Sequence, residues 1–405
     1  MDITEAKQAV IAAGLKLAET GLIARTWGNV SCRVDAETFV ITPSGKAYDR
    51  LTEEDIVAVK IEDCAYEGDV KPSSEKAIHS AAYKLRPDVG FVIHTHQFIA
   101  SIAGLAKAKA ITEIDFWQDI LGGDVPIAKY GLPGTGKLKK AVTASLKKNE
   151  KAKAVLMAHH GALCVGRDAE AAFRVANHLE AACQTYLAKQ FLTKSGQAAN
   201  KLSEIRDAIA AKLSPPEIIP LEPYDSFRSG TAFVMLSQDS HETFDITIKE
   251  GRLLSETQRV IPQTAELHRT IYAKDKSVKA IRHKTGRDIQ LTSLQPWKKL
   301  KAYLDDFAQI AGTNIKFAEF NPLKPFVGAK AVFKALKGRN AVILKGNGAL
   351  CTGSSLDEAD AVAVVTAKNC AAADAASFLP KVKAIGALDA LLMRLVYKLK
   401  YSKQK

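Results

Sequence analysis

Two stretches of this 405-residue chain repeat each other: AVLMAHHGALCVG (Ala154 to Gly166) and AVILKGNGALCTG (Ala341 to Gly353). Gly161/Gly348, Cys164/Cys351, Gly166/Gly353 and Cys183/Cys370 all stand 187 positions apart. Stacked arrays repeat every 20 to 50 residues or so, so this offset points to a duplicated domain. The length agrees with two domains. The joint is expected in LSPPEIIPLEPYD, Leu213 to Asp225, whose four prolines cannot continue a helix. That places the boundary near Pro220, with one domain over 1–215 and the other over 221–405.

At 47% hydrophobic and 25% charged, the chain can bury two sizeable cores, and neither disorder nor a collagen-like repeat fits. No apolar run is long enough to cross a bilayer, and Asp2 and Glu5 stand where a signal peptide would be basic, so a cytoplasmic location with no membrane partner is expected. The net charge of +13 suits phosphate-bearing partners, from metabolites to nucleic acid. The lysines, however, lie in segments such as KLKKAVTASLKKNEKAK without interleaved aromatics, which are only 7% of the chain, so no nucleic-acid partner is expected. Cys32, Cys64, Cys164, Cys183, Cys351 and Cys370 form no C-x-x-C pair and read as thiols.

Apolar runs FVIT (39–42), IVAVKI (56–61), VGFVIH (89–94) and AVLMAH (154–159) read as strands. They alternate with amphipathic stretches, the longest being Glu5 to Thr20 and Ala169 to Lys189, which predict helices. The pattern predicts an α/β layer fold. Sheet order is not legible from it.

Chemistry concentrates in a few short segments of the first half. Phe91 to His96 reads FVIHTH, and strand alternation sends His94 and His96 to the same side. Two neutral imidazoles so placed are half of a divalent-metal site. A second strand ends in histidine at His160, where Gly161 permits a close turn, supplying a third ligand. In KPSSEKAIH, residues 71 to 79, Glu75 is placed to serve as carboxylate ligand or general base; equally, Ser73 or Ser74 can cap a helix with Glu75 in its first turn. Segments 25–33, 41–52 and 72–74 are short and rich in hydroxyls, the first two with a glycine each. Backbone N–H groups beside Gly28 and Gly45, with the side chains of Thr26, Asn29, Ser44, Ser73 and Ser74, can cradle a phosphate. GLPGTGKL (131–138) is not a nucleotide-binding loop, because Leu138 stands where Ser or Thr would meet Mg²⁺.

Taken in order, Gly28 to Ser31, Thr42 to Gly45, Pro72 to Glu75, His94 to His96 and His160–Gly161 resemble the motifs of the class II aldolase/adducin family across nearly all of residues 1 to 213. The resemblance implies two tandem layered α/β/α domains, each with a central, mainly antiparallel sheet. It implies a Zn²⁺, or another divalent metal, held by His94, His96 and His160, with Glu75 shuttling a proton. Thr26, Gly28, Asn29, Ser44, Gly45, Ser73 and Ser74 are then the phosphate-binding positions. The implied activity is retro-aldol cleavage of a phosphorylated ketose through a metal-stabilised enediolate. An epimerase, a dehydratase or a non-catalytic adducin-like binding module remain alternatives.

Departures from the family pattern are confined. His159 stands where the family has Asn, and of adding a donor or pointing into the core the latter is expected; Phe116 stands where the aldolase has the tyrosine that serves the departing aldehyde, leaving Asp115, Asp119 or a neighbouring subunit to substitute. Tyr130 is expected to line the pocket. In the second half, the spacing of His79 and His94 recurs at His268 and His283, while His96 becomes Thr285, Glu75 falls near Thr264, and His160 becomes Asn347. One histidine and no carboxylate cannot hold a divalent ion tightly, so 221–405 reads as a degenerate copy. A homo-oligomer is expected, namely a homodimer of pseudo-fourfold shape in which the inert copy stands in for a neighbouring subunit.

Overall fold

The structure, a computed structural model, describes all residues except 24–26, 113, 214–216, 231, 250–251, 256–259 and 400–405. Its two compact units divide at Ile205/Arg206, ahead of the proline-rich segment. Unit 1 holds Met1–Ile205 joined by Ala375–Lys383 and, among the described residues, Lys398 and Leu399; unit 2 holds Arg206–Asp374 and Ala384–Tyr397, so the last helix also crosses the division at its end.

Unit 1 runs α1 (Ile3–Glu19), β1 (Asn29–Arg33), β2 (Thr38–Ile41), β3 (Val57–Lys60), α2 (Lys76–Leu85), β4 (Phe91–Thr95), α3 (Phe98–Ala103), β5 (Ala110–Ile111), α4 (Gln118–Leu121), β6 (Val125–Ala128), α5 (Gly136–Lys148), β7 (Ala154–Met157), β8 (Gly161–Gly166), α6 (Ala169–Ser195) and α7 (Leu202–Ala210), the last crossing the division. The eight strands form one sheet in the order β3-β2-β1-β4-β8-β7-β6-β5, antiparallel except at β6–β7. Strand alternation sorts the apolar residues onto two faces. Phe39, Ile41, Val57, Val59, Val155, Met157, Leu163 and Val165 share a core with Ile78 and Tyr83 of α2 and Leu138 and Val142 of α5. The alternate residues, such as Leu156 and Cys164, are equally buried and turn to the side where α3 and α6 pack. This is the layered α/β/α arrangement expected from the sequence.

The hydroxyl-rich segment 25–33 is not among the runs read as strands, yet from Asn29 it is a central strand, between β2 and β4. Its polar residues are tolerated there because Ser31 and Asn29 are hydrogen-bonded to side chains of α2. Register then sets the site. Asn29 lies opposite His94 across β1–β4, and Thr95 lies opposite Ala162 across β4–β8.

Unit 2 runs β9 (Tyr224–Ser229), β10 (Ala232–Ser237), β11 (Thr243–Lys249), β12 (Arg252–Ser255), α8 (Ala265–Lys274), β13 (Ala280–Lys284), α9 (Arg287–Ser293), β14 (Lys299–Lys301), α10 (Asp305–Ile310), β15 (Asn314–Ala318), α11 (Pro325–Leu336), β16 (Ala341–Leu344), β17 (Ala349–Gly353), α12 (Leu356–Ala375) and α13 (Ala387–Leu399). Its sheet order, β12-β11-β10-β9-β13-β17-β16-β15-β14, repeats that of unit 1 with one added edge strand, β12. Again one pair is parallel, β15–β16.

Candidate metal centre

His94 sits on β4, His96 just past its end and His160 in the β7–β8 turn, and their ring nitrogens converge. The Nε2 atoms of His96 and His160 lie 3.1 and 3.0 Å from Nε2 of His94. All three rings are buried, and their ligand-capable atoms lie within 4.8 Å of one another. Ligands about 2.0–2.1 Å from one tetrahedral zinc stand roughly 3.3 Å apart, so the set fits a divalent transition metal. His94 Nδ1 donates to the Ala162 carbonyl at 2.9 Å, which fixes the tautomer that leaves Nε2 available. Gly161 is what lets β8 approach: a Cβ there would stand 2.1 Å from the Thr95 carbonyl oxygen.

Glu75 closes the cluster, with Oε2 3.1 Å from His94 Nε2 and Oε1 3.1 Å from His160 Nε2. It occupies the N-cap position of α2 itself, but makes no side-chain capping bond. Its carboxylate therefore serves the histidines. Burial alone would raise the Glu75 pKa; His160 and His94 beside it outweigh burial and hold it well below the usual carboxylate range.

Behind Glu75 runs a buried hydrogen-bond chain that sequence reading missed. Asn29 Nδ2 donates to Glu75 Oε2 across a long 3.4 Å, and Asn29 Oδ1 accepts from His79 Nε2 at 2.5 Å. His79 Nδ1 in turn lies 2.6 Å from Ser31 Oγ, which lies 2.8 Å from the Tyr83 hydroxyl. Burial lowers the His79 pKa to about 3, so the ring is neutral and can donate to Asn29 while accepting from Ser31. The spacing of His79 on α2 was visible in the sequence only as part of the repeat.

Of the phosphate candidates, Thr26 lies outside the described residues. Ser44–Gly45 and Ser73–Ser74 are brought together by the Pro43–Pro72 bridge, with Ser44 N donating to Lys71 O at 2.9 Å and Ser73 N to Thr42 O at 3.0 Å. Thr42 ties this pair to β1, its Oγ1 accepting from Val30 N at 3.2 Å. Gly28 ends that strand with φ 111° and no room for a Cβ, which would meet the His94 carbonyl oxygen at 2.7 Å. Asn29 is the exception. Its amide is committed to His79 and Glu75 and so belongs to the centre.

His159 does not point into the core: it is half-buried, takes φ 66°, and meets Tyr130 edge-on at 5.5 Å. Asn and His are among the side chains that tolerate this left-handed conformation, which accounts for the exchange. Phe116 is 92% exposed.

Unit 2 shows what the repeat lost. His283 is buried on β13 as His94 is on β4, but its Nε2 donates to the Asn347 carbonyl at 2.7 Å. Thr264 holds the N-cap position of α8, where Glu75 stands on α2. Asn347, in the place of His160, accepts from Leu221 N at 2.9 Å and donates to Ile219 O at 3.1 Å. Ile218 covers the adjacent Gly346, so the strand-end position is filled by the chain's own linker. Ser226, His268 and Tyr272 nevertheless repeat the Ser31–His79–Tyr83 chain, at 2.7 and 2.8 Å. Among the described residues the cluster of His94, His96 and His160 is the one group placed to hold a metal.

Comparison with known proteins agrees with this layout. The chain is 33% identical over 194 residues to an L-fuculose phosphate aldolase of Escherichia coli strain K12, covering 48% of this chain and 87% of that protein. It is 33% identical over 181 residues to a 5-methylthioribulose-1-phosphate/5-deoxyribulose-1-phosphate aldolase of Rhodospirillum rubrum, covering 44% of this chain and 79% of that one. A solved L-fuculose 1-phosphate aldolase matches at 34% identity and a TM-score of 0.43, over 48% of this chain and 90% of that one. The model of the class II aldolase and adducin N-terminal domain matches twice, over residues 8–187 and 228–373, and the chain belongs to that family as a tandem pair.

Proposed function

We propose that unit 1 is a divalent-metal lyase, with Zn²⁺ as the ion, that cleaves a phosphorylated ketose by retro-aldol chemistry. The observation that carries this is the convergence of three buried imidazole nitrogens on one point with a carboxylate beside them. The aldolase names of its relatives support the substrate class. His94, His96 and His160 would hold the ion, which when bound supplies Lewis-acid charge beside the substrate's oxygens.

The chain's own residues do the rest. As the C3–C4 bond breaks, the ionised Glu75 carboxylate takes up the proton of the C4 hydroxyl, the C4 oxygen forms the aldehyde, and the electron pair of the broken bond passes to C3, shared with the C2 carbonyl. A proton placed on C3 completes the ketone product. Glu75 is the group for that transfer, being buried beside the ligands and held from behind by Asn29. Gly28, Ser44, Gly45, Ser73 and Ser74 are proposed for the phosphate, with Thr26. Because Phe116 cannot exchange a proton, an epimerase or dehydratase on a sugar phosphate is the second reading.

Residues 221–405 are proposed as the non-catalytic copy. No helix among the described residues is long and apolar enough to cross a membrane. A cytoplasmic homodimer without nucleic-acid or membrane partners completes the proposal. Its test is metal content and turnover together, across a panel of ketose 1-phosphates. Wild type should carry one zinc per chain, and Glu75→Gln should keep the metal while losing at least a hundredfold in turnover. A Glu75→Gln variant as active as wild type would refute the assignment.

A further inference from the structure

The three histidines reach the centre by unequal routes. His94 is held in the ladder of β4, and His160 by a turn in which its N–H donates to the Met157 carbonyl at 3.0 Å. His96 lies just beyond the last residue of β4, where strand pairing no longer fixes it, although its ring must meet the other two. Its own N–H donates to the Leu22 carbonyl at 3.1 Å, outside any helix or strand.

Helix α6 supplies what the ladder does not. Gln97 is 1% exposed; its Nε2 donates to the Ala176 carbonyl at 2.7 Å and its Oε1 accepts from Thr95 Oγ1 at 2.8 Å. One turn further along α6, Glu180 accepts from the backbone N–H groups of Ile99 and Ala100, at 2.6 Å to Oε1 and 2.9 Å to Oε2. Those donors open α3, whose own N-cap residue, Gln97, makes no side-chain capping bond. A carboxylate on two N–H groups at a helix N-terminus makes strong, charge-assisted bonds. The backbone is thereby tied to α6 on both sides of His96.

Unit 2 shows that the fold forms without this clamp. At the spacing that carries His94 to His283, His96 and Gln97 become Thr285 and Gly286; at that of Cys183 to Cys370, Glu180 becomes Ala367. Helix α9 still follows Gly286, as α3 follows Gln97. Thr285 and Gly286 are exposed where His96 and Gln97 are buried. The serine–histidine–tyrosine chain, by contrast, is kept in both units. The clamp is present where the third imidazole is present and missing where it is missing.

We propose that Glu180, with Gln97, is a positioning residue for His96, acting through the backbone at the start of α3. This rests on the metal reading of the proposed function and on none of its lyase chemistry.

Metal affinity of the full-length chain tests it, with Zn²⁺ competed against a chromogenic chelator. Each variant is measured at a temperature where circular dichroism shows it folded, so that lost stability cannot pass for lost affinity. Glu180→Ala should bind zinc about 10–100-fold more weakly than wild type. At saturating Co²⁺, whose visible d–d bands report the ligand geometry, the same variant should show a changed spectrum. Glu180→Gln keeps an acceptor oxygen for α3 and should recover most of the affinity. A folded Glu180→Ala with wild-type affinity and cobalt spectrum would make the residue a plain cap of α3 and overturn the inference alone. Wild type that takes up no metal would overturn the metal reading with it. Should Glu180→Ala not fold, Gln97→Ala reads the other half of the clamp: several-fold weaker zinc binding is expected, and wild-type affinity there would overturn the inference.

Discussion

His79→Ala and His268→Ala form a controlled pair, because the two rings do the same job in the two units with one difference. Both are fully buried, and the Nδ1 of each pairs with its serine hydroxyl, at 2.6 and 2.7 Å. Each serine leans on a tyrosine that is covered by an arginine 4.8 Å from its ring, Arg33 over Tyr83 and Arg228 over Tyr272. Truncation therefore opens a comparable cavity and strands a comparable serine in both. Only His79 also holds a buried amide, Asn29, whose Oδ1 would lose its donor at a cost of about 1–3 kcal/mol. His268 Nε2 has no hydrogen-bond partner among the described residues, so its removal relieves a cost already present and widens the gap in the same direction. His79→Ala should therefore destabilise its unit by at least about 1–3 kcal/mol more than His268→Ala does its own. Hydrogen exchange read at α2 and α8 measures each unit within the same chain. His79→Ala should also leave the metal ligands in place while turnover drops, since Asn29 no longer steadies Glu75; His268→Ala should leave turnover alone. Equal costs in the two units, or full turnover in His79→Ala, would refute the role given to the Asn29 link.

Three further outcomes are expected. Gly161→Ala must push β8 off the Thr95 carbonyl, so roughly 1–3 kcal/mol of stability and part of the metal affinity should go together, checked by thermal melts and zinc titration. Burial raises the Asp374 pKa from 3.8 to about 7. The folded state then binds more protons than the unfolded one across that window, so stability falls as pH rises from 4 to 7, by up to about 4 kcal/mol. Asp374→Asn should flatten that slope, and urea titrations at several pH values would show it. Thr285→His with Asn347→His should not create a second metal site, because Asn347 and the neighbouring Gly346 are covered by residues 218–221; metal analysis should still find one ion per chain.

What was legible in the sequence is what depends on local pattern. Strand alternation in FVIHTH and the glycine after His160 were enough to assemble three imidazoles, because a strand's period and a close turn are set by neighbouring residues. Strand β1 was hidden, since Asn29 and Ser31 look like loop residues until α2 supplies their partners. Glu75 was ambiguous between cap and base for the same reason: only the folded chain shows that its carboxylate makes no capping bond. His159 was misplaced because a left-handed backbone position leaves no pattern of period two or 3.6. The plugging of the second site by the linker joins residues 126 positions apart, which no local pattern records.

The membership of Ala375–Lys383 in unit 1 has a consequence for how the protein is made. Phe378 stacks edge-on against Phe191 at 5.5 Å, so a piece of the first unit's hydrophobic surface waits for a residue near the far end of the chain. During synthesis the ribosome releases the first repeat well before that strap exists. The early half must persist with Phe191 uncovered until the second half has followed. Vectorial translation thus couples maturation of the repeat that carries the histidine cluster to completion of its sibling, and a gene truncated after the first repeat would encode an unfinished unit.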